Sequence, residues 1–161
     1  MAKREKDIKT NAMRILDKAG IPYSVVTYEC DEFTSGSDIA DKLGQDHNCS
    51  FKTIVAKGKS GEYSVFVIPV DDEIDLKKAA VAAGEKSVET IHVKDINAVT
   101  GYIRGGCSPI GMKKNFKTVI HSTAQNYDTV IISGGRIGSQ IHLSPFDLIK
   151  ITNAKLSDIK R

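Results

Sequence analysis

The apolar positions along the chain switch repeatedly between helical and strand spacing. Ala12, Ile15, Leu16 and Ala19 recur at the three- and four-residue intervals of one helix face. Thr10 stands where its hydroxyl can cap the first turn, and Gly20 and Pro22 stop the helix. Residues 24–29 read as a strand. After Ser37, Ile39, Ala40 and Leu43 share a face and Gly44 follows, which predicts a second short helix. Residues 51–57 and 63–70 are rich in β-branched and aromatic side chains and are separated by GKSG, the pattern of an antiparallel hairpin. Asp75 caps a third helix with the stripe Leu76, Ala79, Ala80 and Ala83 and with Gly84 beyond it; residues 87–93 are the next β-rich piece. A short helical turn after Asp95 leads into residues 101–111. Strands are expected at 118–121, 129–133 and 140–143, the last two joined by GGRIG, and Ser144 followed by Pro145 opens a closing helix that carries Leu148 and Ile149.

These elements alternate too irregularly, and their strand connections are too short, for a doubly wound parallel sheet. The expected class is α+β, with a mixed, largely antiparallel sheet surrounded by helices. No linker, repeat or low-complexity tract divides the 161 residues, so one domain over residues 1–161 is expected. Hydrophobic residues at 40% and charged residues at 27% exclude a disordered or fibrous chain. The longest apolar runs fall far short of the ~20 residues that cross a bilayer. The opening MAKREKDIKT lacks the apolar stretch of a signal peptide, and a cytoplasmic protein without a membrane span is expected. Cys30, Cys49 and Cys107 are odd in number and form no CxxC pair, so neither a disulfide framework nor a metal is expected. The acidic run Asp71, Asp72, Glu73 and Asp75 reads as a solvated approach to a helix.

A net charge of +3 is too small to name a partner, but its distribution is informative. Residues 96–127 contain no Asp or Glu and include Arg104, Lys113, Lys114 and Lys117. Within that stretch lies GYIRGGCSPIG, with four glycines and a proline in eleven residues. Glycines let backbone N–H groups approach a ligand closely, as an anion site or oxyanion hole requires; a long surface turn is the competing reading. Lys52 falls by period-two alternation on the face of Ile54 and Ala56. There it either snorkels to water along its stem or stands as a partly desolvated cation at the mouth of a pocket. Cys107 as a nucleophile would need a base, and none of His47, His92, His121 or His142 completes a recognisable Cys-His signature. No GxSxG elbow, HExxH, P-loop or dinucleotide fingerprint is present, so no cofactor is expected. GGRIG with its flanking Ser133 and Gln140 is a hairpin turn, to which Arg136 adds a phosphate contact if the turn faces the side of residues 101–111.

Six segments in order, TNAMRILDKAGIPY, TYE, FKT, VIPVDDEIDLKKAAVAAGEKSVE, TGYIRGGCSPIG and SGGRIG, make the chain similar over nearly its whole length to the YbaK and EbsC family of aminoacyl-tRNA deacylases. These are relatives of the editing domain inserted in bacterial prolyl-tRNA synthetases. The resemblance implies a partly barrel-like sheet surrounded by helices, acting on a mischarged tRNA, usually Cys-tRNA(Pro), released by a synthetase such as prolyl-tRNA synthetase. It places the family's essential lysine on Lys52. The pocket-lining neighbours fall on Tyr28, Thr53, Gly105, Gly106, Ser133 and Gln140, with Cys107, Ser108 and Pro109 alongside. Arg104, Lys113, Lys114, Lys117 and Arg136 are the expected RNA contacts. Two departures from relatives, Ser35 and Gln140, bear on which aminoacyl group fits.

The chemistry implied is cleavage of an aminoacyl ester, with backbone N–H groups around residues 105–108 stabilising the carbonyl oxygen and Lys52 holding the ribose or phosphate. For a cysteinyl ester the thiol of the substrate attacks the carbonyl and leaves as a thiolactone. Deacylation of another ester such as Ala-tRNA(Pro), and a non-catalytic tRNA- or synthetase-binding module, are the alternatives. A monomer is expected.

Overall fold

Helices in this chain begin and end where short polar side chains and glycines meet the unpaired groups of their terminal turns. The computed structural model describes residues 9–30 and 34–161, so most of the N-terminal decapeptide considered above lies outside the described residues. Thr10 accepts from the Met13 N–H at 3.3 Å and Gly20, with φ 71°, closes α1 (Asn11–Ala19). Asp75 accepts from the N–H groups of Lys77 and Lys78 to start α3 (Leu76–Ala83), and Ser144 with Pro145 starts α5 (Pro145–Thr152). A five-residue α4 (Ile96–Thr100) precedes the loop at 101–111. Helix α2 (Gly36–Leu43) starts earlier than expected, with Ser35 and not Ser37 as its cap. Both serines are good caps. Gly36 decides between them, because it packs on Val70 so closely that a Cβ would collide with the valine side chain.

Among the described residues, eight strands build two open sheets. β1 (Ser24–Thr27), β7 (Ser139–Leu143) and β6 (Val130–Ser133) form an antiparallel three-stranded sheet in the order β1-β7-β6. The second sheet runs β4-β2-β3-β5-β8, from β4 (Val88–Thr90), β2 (Phe51–Gly58) and β3 (Tyr63–Pro69) to β5 (Lys117–His121) and β8 (Lys155–Ser157). Its β4, β2 and β3 are antiparallel, and its β3, β5 and β8 are parallel. A bridge between Ser50 and Ile131 joins the sheets, which do not close into a barrel. The mixed α+β class is as expected, but α5 is not the closing element: β8 follows it. Three residues are too few for a periodic signal, and β8 owes its form to pairing with β5.

The apolar run in β3 has no alternation because both of its faces are covered. Val65 and Val67 enter one core cluster with Leu16, Phe51, Ile120, Ile141 and Leu148. Phe66 and Ile68 enter a second cluster against α3. That helix buries Ala79, Ala80, Ala82 and Ala83, while Leu76, expected on the buried stripe, is 39% exposed. Four small side chains let the helix lie close to the strands, which leaves a large one at its first turn outside.

Leu16 is fully buried and ties α1 to the first cluster. Leu16→Ala is expected to lower stability by about 3 kcal/mol, read as an earlier urea midpoint at unchanged slope; an unshifted midpoint would contradict this packing.

Candidate functional site

Lys52 pairs with Ile68 across the β2–β3 hairpin and shares its pleat face with Ile54 and Ala56, as alternation requires. It is half-buried and stands in the wall of a cavity of about 520 Å³. Thr53 lines the same cavity. Tyr28, just beyond β1, closes one side, with Ser133 at the end of β6 and Gln140 on β7 nearby. The loop at 101–111 contributes Arg104, Gly105 and Cys107. Segments far apart in sequence therefore face one space.

The loop is not a plain surface turn. Tyr102 is buried, and its hydroxyl donates to the Ile110 carbonyl at 2.6 Å, tying the loop across its base. Its own N–H donates to Thr100 Oγ1 at 3.0 Å, and Ser108 Oγ accepts from the Ile110 N–H at 3.1 Å. Ser108 and Pro109 are thus buried in the loop's interior and do not line the cavity. Gly106 is also set back from the cavity. Its N–H donates to the Ile103 carbonyl at 2.9 Å, and it has no room for a side chain: a Cβ would lie 2.7 Å from Arg136 Cα and 2.9 Å from Ile137 N. Gly105, at φ 84°, takes a left-handed conformation that turns the chain toward the cavity. Among the described residues, neither the Gly105 nor the Cys107 N–H donates to a protein acceptor, and both residues line the cavity, so their amides are available to a ligand there.

The turn at 134–138 does face the same side. Besides receiving Gly106, it accepts the Thr10 hydroxyl at the Gly134 carbonyl and the Tyr28 N–H, at 2.9 Å, at the Gly138 carbonyl. Arg136 is carried on this junction. Of the other expected RNA contacts, Arg104 is exposed at the cavity and Lys114 is exposed beyond the loop. Lys113 donates to the Ala98 carbonyl at 3.2 Å and Lys117 to the Ala83 carbonyl at 2.6 Å. Both lysines therefore serve the carbonyl ends of helices, α4 and α3, where a cation is favoured.

Burial pushes the Cys107 thiol up to about 11, against a smaller opposing effect of a hydrogen bond with Thr100, which keeps it protonated at neutral pH. Burial also raises the Tyr28 phenol. Gln140 exchanges two hydrogen bonds with Gln45, at 2.7 and 3.1 Å, and lies 3.2 Å from His142 Nε2. Sequence patterns gave no sign of that pair, nor of the apolar wall from Ile39, Ile91, Val93 and Ile96. Ser139 was missed too: it lines the cavity, and its buried Oγ has no hydrogen-bond partner among the described residues. The acidic run is better paired than a solvated approach implies: Asp72 meets Lys160 at 3.0 Å, Glu73 meets Arg161 at 3.3 Å, and Asp71 meets His47 at 2.9 Å.

The family model described as "Aminoacyl-tRNA editing domain" matches residues 31–151. An Enterococcus faecalis protein, "Putative Cys-tRNA(Pro)/Cys-tRNA(Cys) deacylase EbsC", is 44% identical over 160 residues, covering 99% of this chain and 98% of that one. Among solved structures, one described as "a putative trans-editing enzyme for prolyl tRNA synthetase" superposes with a TM-score of 0.83 at 22% identity, over 96% of this chain and 99% of that one. A hypothetical protein superposes with a TM-score of 0.86 at 21% identity, over 94% and 100% of the two chains. At these identities the solved structures speak for the fold.

Gly106→Ala is expected to force the two loops apart and to destabilise the protein by about 1 to 3 kcal/mol, seen as a lower melting temperature. A variant that melts with the wild type would show that the junction has slack.

Proposed function

Because this chain belongs to the aminoacyl-tRNA editing domain family, we propose that it is a trans-editing deacylase that removes cysteine from mischarged Cys-tRNA(Pro). The observation that carries this reading is the cavity in which Lys52 faces Gly105 and Cys107, residues some fifty positions away. The name of the Enterococcus relative supports the substrate. In this reading the whole chain acts as one domain and as a monomer, and prolyl-tRNA synthetase supplies the mischarged tRNA.

The bond to be broken joins an aminoacyl carbonyl to the terminal ribose. Negative charge grows on the carbonyl oxygen, and the Gly105 and Cys107 N–H groups are its donors. One well-placed donor is worth about 3 kcal/mol, roughly a hundredfold in rate. Gly106, its N–H already donated to Ile103, supports the loop instead. Lys52 holds the ribose or the terminal phosphate so that the ester stays in place. The substrate's sulfur attacks its own carbonyl, forming the S–C bond of a thiolactone as the ester C–O bond breaks, and the thiol proton passes to the departing ribose oxygen. A protein nucleophile is then superfluous, in keeping with a Cys107 thiol that burial holds protonated.

Arg104 at the cavity, with Lys114 exposed beyond the loop, accounts for attraction to the RNA backbone better than the partly buried Arg136 or than Lys113 and Lys117, which are committed to helix ends. A second reading, deacylation of Ala-tRNA(Pro), draws on Ser35 and Gln140, the two departures from relatives, because both line the cavity. Alanine carries no thiol, so water would have to replace the internal nucleophile.

Purified protein assayed against Cys-tRNA(Pro), Cys-tRNA(Cys) and Ala-tRNA(Pro) separates these readings. Cys-tRNA(Pro) is expected to be cleared fastest, and equal binding of charged and uncharged tRNA without turnover would point to a non-catalytic module. Lys52→Ala is expected to abolish deacylation, whereas Cys107→Ala keeps most of it. A folded but inactive Cys107→Ala variant would overturn the mechanism.

A further inference from the structure

The turn His47–Cys49 lies between α2 and β2, beside the cavity. His47 Nε2 stands 2.7 Å from Asp41 Oδ1, and its Nδ1 stands 2.9 Å from both oxygens of Asp71. A neutral imidazole donates from one nitrogen only and would turn a lone pair toward one of these carboxylates. Both ring nitrogens thus face carboxylate oxygens, an arrangement that favours the imidazolium. Asp71 follows Val70, which lines the cavity and receives Gly36, and it also accepts the hydroxyl of Ser37. Lys52 lines the cavity with Val70, and its ammonium acts weakly on Asp71.

We propose that His47 is a positioning residue: by neutralising Asp71 it keeps the Lys52 ammonium directed to the substrate. The inference rests on the role given to Lys52 above. Were His47 neutral, Asp71 would draw the Lys52 ammonium toward itself and would add one further negative charge beside the path of a polyanionic substrate. Lys52 would then be an ion-pair partner of Asp71 and not a ligand of the terminal phosphate. The charged groups facing His47 are Asp41 from α2 and Asp71 from just beyond β3, and Lys52 from β2 acts on Asp71. Bonds first to Asp71 and then to Asp41 raise the His47 pKa above the ordinary 6.5, while the Ser37 hydroxyl, then His47 and to a smaller degree Lys52 hold the Asp71 carboxyl below its ordinary value. The cation is thus present below the raised His47 pKa and lost as pH rises through it.

The test compares kcat/KM for Cys-tRNA(Pro) in the wild type, Lys52→Ala, His47→Gln and the double variant His47→Gln with Asp71→Asn, each checked for folding by circular dichroism. His47→Gln is expected to lose about fivefold, mainly through KM, as befits one partly screened charge. Removing the stranded carboxylate in the double variant is expected to restore most of that loss, which a purely structural brace would not do. Between about pH 7 and about pH 9, after subtraction of spontaneous hydrolysis, the ratio of wild-type to double-variant kcat/KM is expected to fall, the titration of the substrate's own thiol cancelling in the ratio. An inactive Lys52→Ala together with an unaffected His47→Gln, or with a double variant no better than the single, overturns the inference and leaves the Lys52 reading standing. An active Lys52→Ala overturns both. If His47→Gln does not fold, the ratio of wild-type to Asp71→Asn kcat/KM between about pH 7 and about pH 9 decides, a ratio that does not change with pH overturning the inference.

Discussion

Two stretches of backbone meet with no side chain between them where Gly106 lies against the peptide joining Arg136 and Ile137. The site depends on this contact. Through it the loop at 101–111 is fixed to the turn at 134–138, and the same turn holds the Thr10 hydroxyl at the start of α1 and the Tyr28 amide at the end of β1. Tyr28, Gly105, Cys107, Ser133 and Gln140 are thus placed relative to one another by main-chain geometry, which is stiffer than side-chain packing. Glycine carries an entropic cost in the unfolded chain, and at Gly106 that cost is offset by a separation no other residue allows.

Opposite this junction stands the β2–β3 hairpin. Its two faces belong to two different core clusters, so the strand carrying Lys52 is held from both sides before any substrate arrives. A lysine half-buried on such a strand has little freedom except along its own stem. That restriction suits the role proposed for Lys52, holding one phosphate or hydroxyl, because positional freedom lost in folding need not be lost again in binding.

What could be read from the chain without its fold was local. Helix ends were legible at Thr10, Gly20, Asp75, Gly84 and Ser144 because a cap is a contact between residues two to four apart. The start of α2 was misjudged by two residues because the choice between Ser35 and Ser37 is made by Val70, which is distant in sequence. Strand β8 was invisible because Lys155, Leu156 and Ser157 become a strand only beside β5. The same division holds at the site. Glycine content marked both loops, yet which amides remain available, which lysines serve helix ends and why Gln140 needs Gln45 are matters of long-range contact. A stretch free of acidic residues gives the sign of a field and not the direction of any side chain.

The cavity wall made by α2 differs in kind from the rest. That helix sends only Ala40 into the buried interior and is fastened mainly by polar contacts: Ser37 and Asp41 through Asp71 and His47, and Gln45, just beyond its end, through Gln140. Ser35 at its cap and Gly36 and Ile39 within it line the cavity. Apart from Gly36, which has no room against Val70, selection can therefore rework this wall without disturbing either core, since each exchange risks a hydrogen bond on the surface and not a void in the interior. Among descendants of one ancestral fold, preferences for different aminoacyl groups would be expected to diverge first along this short helix, with the glycine junction across the cavity inherited unchanged.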